Sequence, residues 1–281
     1  MGLFLAAIVL GLIQGLTEFI PVSSSGHLLL VERLLGWDTS KLVFDVALHW
    51  GTLVALIAFF WRDWVSILRS FAGHVFCRQP YGKPDDVKGY GRLLVPIVVA
   101  SIPAAVAGIG FEHKIEAWRG SAWIVAAIAS ALIGVGLLML LAERVGRKQR
   151  ETGSMNYADY IVIGAAQALA LFPGVSRSGI TISAGLFRNL DRTAAARFSF
   201  LLSTPAVFGA GLLALKDIVK QPMPSDQWAV LGVGFATAAV SGFIAIGFLM
   251  KYLQRGSVAV FAVYRIALAL AVLGTLWHVA R

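Results

Sequence analysis

Cysteine is nearly absent: Cys77 stands alone in 281 residues. That excludes a disulfide within the chain and any zinc site built on cysteines. Charge is scarce too, at 14% of residues, where a soluble domain carries roughly 25%. What charge there is leans basic, with 24 Lys and Arg against 15 Asp and Glu, a formal net charge of +9. No stretch interleaves basic and aromatic residues in a nucleic-acid motif, so nucleic acid is excluded as a partner. Apolar sequence abounds instead, with a mean hydropathy of +0.78. Apolar runs of about 20 residues between charged clusters define a polytopic, all-α integral membrane protein, with the bilayer as its first partner. The first run lacks a basic leader and an A-x-A cleavage pattern and carries Glu18, so it reads as mature structure, not a signal peptide.

Apolar segments fall at 2–20, 42–61, 93–111, 121–142, 158–172, 179–187, 198–215, 227–250 and 257–280. A crossing needs roughly 20 residues, so 158–172 and 179–187 are too short. The first segment is long enough but runs into PVSSSG. Backbone that breaks at membrane depth must be buried in protein or line a watery cavity. The sequence therefore predicts two re-entrant helix–break–helix hairpins, 2–31 and 158–187. Sliding the chain by 153 residues lays QGLTEFIPVSSSGH (14–27) on QALALFPGVSRSGI (167–180) without a gap. This predicts one membrane domain, 1–281, made of two repeats: 1–142 and 158–281, joined by a linker at 143–157. Each repeat carries one hairpin and three spans, an odd number, so the repeats have inverted topology.

With inverted halves, the loops 62–92, 143–157, 188–197 and 251–255 share one side and hold fifteen of the 24 basic residues, against seven on the other side. The positive-inside rule makes the richer side cytoplasmic. Both termini and the mouth of the first hairpin then face outward, and the second hairpin enters from the cytoplasm. Trp61 and Trp64 fit an interfacial belt, with Arg62 snorkelling beside them. The polar loop 62–92, with Pro80, Gly82 and Pro84, shows no site.

The two copies differ in chemistry. Glu18 matches Leu171, His27 matches Ile180, and Ser24 matches Arg177. One copy carries the acid and imidazole, the other the cation, and all four residues converge if the hairpins meet. Ionisable groups inside a membrane are expensive and are functional candidates by default. Arg177 offers a planar fork of donors that suits phosphate. Ser23, Ser25, Ser176 and Ser178, with the backbone at Gly26 and Gly179, add donors at the start of the second half-helices and room for close approach. Gln14 and Glu18, four residues apart, share a helix face. Their oxygens suit Mg²⁺ or Ca²⁺, with waters and a substrate phosphate completing the shell. His27 can activate a serine or water, attack phosphorus itself, or protonate a leaving group. The set suits metal-assisted phosphoryl transfer. Asp45 and His49, again four apart, are secondary candidates for supporting the metal or a proton path. Arg265, after Tyr264 in the last span, reads as a buried structural partner. The plainer readings are a serine–glycine break that only satisfies its own backbone, a structural Glu18–Arg177 ion pair, and a hydrogen-bonded core histidine at 27.

QGLTEFIPVSSSGH together with PGVSRSG resembles the undecaprenyl-diphosphate phosphatases of the bacitracin-resistance (BacA) family, and the resemblance runs along the whole chain. That family has an (E/Q)xxxE motif, a serine-rich turn and a histidine, here Gln14, Glu18, Ser23, Ser24, Ser25 and His27. Its second motif, PGxSRSG, is Pro173 to Gly179. Gln14 is an amide where many members carry a carboxylate. The resemblance implies hydrolysis of a C55 polyprenyl diphosphate lipid to its monophosphate and phosphate, dependent on a divalent cation. It also implies a bacterial inner-membrane location, a site open to the periplasmic side, and a part in bacitracin resistance and cell-wall lipid recycling. It places Glu18, Ser24, His27 and Arg177 in catalysis and leaves Ser24, His27 and water as alternative nucleophiles. A homodimer is compatible with the sequence, which leaves the oligomeric state open. The type 2 phosphatidic acid phosphatase pattern is excluded, because the position where it needs a histidine after Ser176-Arg177 is Ser183. The alternative is a transporter or flippase for the same lipid, since broken helices in paired repeats are transporter architecture.

Overall fold

A computed structural model describes residues 2–37, 42–77, 92–119, 121, 123–219 and 225–279. Among these residues the regular structure is helical, apart from one isolated bridge between Arg150 and Leu190. The first half holds α1 (Gly2–Phe19), α2 (Ser24–Leu35), α3 (Leu42–Phe59), α4 (Trp61–Cys77), α5 (Leu94–Arg119) and α6 (Ile124–Val145). The second holds α7 (Tyr157–Leu169), α8 (Arg177–Phe187), α9 (Arg192–Val219), α10 (Ser225–Tyr252) and α11 (Ala259–Val279). By length and composition α1, α5, α6, α9, α10 and α11 can each cross a membrane, and α3 with α4 makes a seventh unit bent by 72°. Helices are what lipid demands of such runs, because each backbone N–H and C=O is satisfied within the segment.

Both expected breaks are present, at 20–23 and 170–176, and the arms of each pair touch. One expectation changes: the segment after Trp61 is not all loop. Trp61, Trp64, Leu68, Phe71 and Val75 recur at helical spacing and form the apolar stripe of α4, which the surrounding arginines hide from a simple hydropathy reading. The linker also starts later than expected, because α6 runs to Val145 before Gly146 ends it. The expectations for Pro80, Gly82 and Pro84, and for the basic residues of 78–91, fall outside the described residues.

The helices interlock across the two halves. α1 packs on α10, α7 on α5, α6 on α11, and α3 on α9. Small residues let backbones meet: a Cβ on Gly15 would lie 2.0 Å from Ser241 Oγ, and one on Gly164 would lie 2.3 Å from the Ala100 carbonyl. At one end a set of ion pairs ties the basic segments together. Asp159, with its carboxylate buried, takes Arg150 at 2.7 Å and Arg188 at 2.7 Å. Glu143 takes Arg192, Lys148 at 3.7 Å, and a hydrogen bond from Ser257. Asp63 takes Arg197 at 2.6 Å. The described parts of the four loops read as one side from their charge therefore do lie together.

Candidate functional site

Each break turns on a serine with an unusual backbone. Ser23 has φ 77°, ψ 95°, and Ser176 has φ 69°, ψ 112°. L-residues seldom occupy that half of the map, and each such residue costs on the order of 1–3 kcal/mol. Both serines cap the following helix. Ser23 Oγ accepts from Gly26 N at 3.4 Å, and Ser176 Oγ accepts from Gly179 N at 3.2 Å. The breaks also touch one another: Ser25 Oγ lies 3.5 Å from Gly174 N, and Ser178 Oγ lies 3.4 Å from the Glu18 carbonyl.

Arg265 holds this arrangement from α11. Its side chain is fully buried. It donates to Leu132 O at 3.1 Å, Pro21 O at 3.3 Å, Gly174 O at 2.9 Å and Val175 O at 3.0 Å. One guanidinium thus satisfies carbonyls of both breaks and of α6. Arg265 is buried, as expected, and its partners are backbone carbonyls from three elements. Gly179 is needed here, because a Cβ on it would meet Arg265 Nη1 at 2.7 Å; at Gly26 the nearest atom is 3.4 Å away, an ordinary contact.

The charged centre forms where α1 ends against the start of α8. Glu18 Oε1 pairs with Arg177 Nη2. Glu18 Oε2 accepts from Ser24 Oγ at 2.6 Å and from Gln14 Nε2 at 3.1 Å. His49 Nε2 stands 4.0 Å from the same oxygen, its other nitrogen bonded to the Asp45 carbonyl at 2.7 Å. Arg177 Nη1 donates to Ser203 O at 3.2 Å. The structure brings together Gln14, Glu18, Ser24, Arg177 and His49. Asp45 joins through its backbone.

His27, one turn after Ser24 on α2, makes its own hydrogen bonds. Its Nδ1 bonds the Ser23 carbonyl at 2.8 Å and its Nε2 bonds the Tyr264 hydroxyl at 2.8 Å. The donors assigned to phosphate also have partners within the fold. Ser23, Ser176, Ser178 and the N–H groups of Gly26 and Gly179 serve the caps and the contact between breaks, because buried backbone at a break must be satisfied first. Sequence reasoning missed Tyr264 and Ser203. Tyr264 had a visible signal, a phenol beside an arginine in an apolar span, but its partner lies 237 positions away.

A divalent cation fits part of this site. Gln14 is fully buried, with its Nε2 donating to Glu18 Oε2 and its Oε1 without a hydrogen-bond partner. An orphaned amide oxygen next to a carboxylate is the donor type a hard cation takes. Among the described residues no group of three or more His, Cys, Asp or Glu could hold a metal, so substrate oxygens and water would have to complete the shell.

Fold and site together define an all-helical, multi-pass membrane protein whose charged centre is assembled from two broken helices. Residues 7–271 match the family described as bacitracin resistance protein BacA, and the chain belongs to that family. It is similar to the undecaprenyl-diphosphatase of Moorella thermoacetica, 46% identical over 97% of this chain and 98% of that protein. It is also similar to the undecaprenyl-diphosphatases of Thermomicrobium roseum (43% identical, 95% and 96% covered) and Rubrobacter xylanophilus (46%, 94% and 95%).

Proposed function

We propose that this protein hydrolyses undecaprenyl diphosphate to undecaprenyl phosphate and phosphate, which returns the lipid carrier to envelope synthesis and underlies bacitracin resistance. The observation that carries the proposal is the meeting of Glu18, Ser24 and Arg177 from two separate broken helices, in a chain whose relatives carry that activity in their names. These names favour hydrolysis over lipid transport.

The chemistry follows from the groups present. Arg177 is placed to exchange Glu18 for oxygens of the terminal phosphate, which its planar fork matches. Ser24 already directs its hydroxyl proton at Glu18 Oε2, so the carboxylate is a base in position and Ser24 the best-placed nucleophile. Attack of its oxygen on the terminal phosphorus would break the bond to the bridging oxygen and release the lipid monophosphate. Water would then free the serine and give phosphate. A divalent cation on Gln14 and Glu18 would neutralise charge on the diphosphate. Ser24 and His27 lie three apart on α2 and share its face, which puts the imidazole within the same chemistry as a proton carrier. An apolar groove between α1 and α10, lined by Leu12, Leu16, Val240 and Ile244, suits the prenyl chain.

The architecture belongs to the same proposal. Inverted repeats are supported by the matching serine caps, by α1 on α10 against α7 on α5, and by Arg265 taking carbonyls from the matching positions Pro21 and Gly174. The inner-membrane location is the one the family resemblance implies, and the positive-inside rule then puts the charged end in the cytoplasm. A homodimer is the proposed assembly, read by crosslinking in membranes. The deciding experiment measures phosphate release from a long-chain polyprenyl diphosphate by purified protein, with Mg²⁺ and with chelator, beside Arg177→Ala. Release that needs Mg²⁺ and is lost in the variant is expected. A folded wild-type protein that releases none with any cation would end the proposal.

A further inference from the structure

We propose that Tyr264 is a positioning residue for His27, its hydroxyl presenting the imidazole with Nε2 as the proton-accepting nitrogen at the open edge of the site. The inference rests on the reading of His27 as a proton carrier in the reaction.

The hydrogen bonds leave one assignment. The Ser23 carbonyl can only accept, so the Nδ1 atom 2.8 Å from it carries the hydrogen. In the neutral ring Nε2 then has a free lone pair, and the Tyr264 hydroxyl at 2.8 Å donates to it. The two ring planes lie within 9° of each other, with centroids 5.7 Å apart. The Ser23 carbonyl oxygen also accepts the His27 backbone N–H at 3.2 Å, as the carbonyl of an N-cap residue does.

Tyr264 is not placed by core packing, because it is 47% exposed. It is fixed by its neighbour. Arg265 locks α11 onto both breaks and α6, and the adjacent residue then projects to the outer side of the same helix. The last helix thus sets the backbone of the breaks with one side chain and the imidazole with the next. In the second break the residue matching His27 is Ile180, and the matching carbonyl of Ser176 serves only the backbone N–H of Ile180, at 3.0 Å. The device therefore belongs to the half that carries the acid.

The test uses Tyr264→Phe, which keeps the ring and removes one hydrogen bond. Turnover of polyprenyl diphosphate is expected to fall about tenfold, with KM within about twofold and the melting temperature in detergent unchanged. In His27→Gln protein the same change should have no further effect, since the two residues act as one unit. Nitrogen-15 NMR of histidine-labelled wild-type protein should show His27 with its hydrogen on Nδ1, which gives a reading even if the variant folds poorly. Wild-type turnover in Tyr264→Phe beside an inactive His27→Gln would overturn the positioning role and leave His27 in place. So would an equal loss in the His27→Gln background, or a hydrogen found on Nε2. Full activity in His27→Gln would instead remove the reading on which the inference stands.

Discussion

Pro21 and Gly174, the same position in the two breaks, give their carbonyl oxygens to one guanidinium, that of Arg265. The side chain is fully buried, and its charge is spread over backbone dipoles from three elements. Arg265→Met keeps most of the volume and leaves four carbonyls with a donor lost. Each orphaned buried group costs about 1–3 kcal/mol, so thermal melting in detergent should drop by well over 10 °C or the protein should fail to fold. Arg265→Lys keeps the charge without the fork and should fall between. A melting curve like wild type for Arg265→Met would show that the breaks hold themselves.

Glu18 and Arg177 should be inseparable in function. Glu18→Gln keeps shape and removes the charge that pairs with Arg177 and receives the Ser24 proton. Phosphate release should fall at least about 100-fold, and Arg177→Lys should fall comparably because the planar fork is lost. Retention of more than a tenth of the activity in either variant would return the pair to a structural role.

Gln14 offers a test of the cation. Its Oε1 is buried and without a partner. Gln14→Glu adds a second charge there and should lower the Mg²⁺ concentration giving half-maximal activity. Gln14→Leu should raise it about tenfold or more, and excess chelator should abolish wild-type phosphate release. A titration curve unmoved by both substitutions would place the cation elsewhere.

The ion-paired end gives a prediction about topology. In a Cys77→Ser background, Ser121→Cys in the turn between α5 and α6 should react with a membrane-impermeant thiol reagent on intact cells. Ser154→Cys, in the short turn before α7, should react only after permeabilisation. The reverse pattern would invert the orientation that the positive-inside rule assigns.

Much of this was readable from sequence where local composition decides the outcome. The apolar run at 121–142 becomes α6 within three residues, and the paired motifs become capped breaks. The meeting of Glu18 and Arg177 was readable too, because charges placed in apolar sequence must find each other. What escaped depended on geometry at a distance. α4 mixes arginines into its stripe, so its period was hidden by its charge. The serines of the breaks read as phosphate donors, and their part in capping their own helices shows only in the fold. His27 read as a fourth member of one cluster, and only the folded chain shows that Tyr264 bonds its ring.

The crossed packing of the two halves bears on how the protein is made. α1 leans on α10, which begins about 200 residues later. At a synthesis rate of roughly 5–20 residues per second, the ribosome takes on the order of 10–40 s to supply that partner. During this interval Gly11 and Gly15 face no helix, and Glu18 has no Arg177. The nascent first helix must therefore wait at the membrane with its carboxylate held by neighbours such as Gln14 and Ser24 but without its arginine, which makes it a natural client for an insertase that shelters polar groups until the second half arrives.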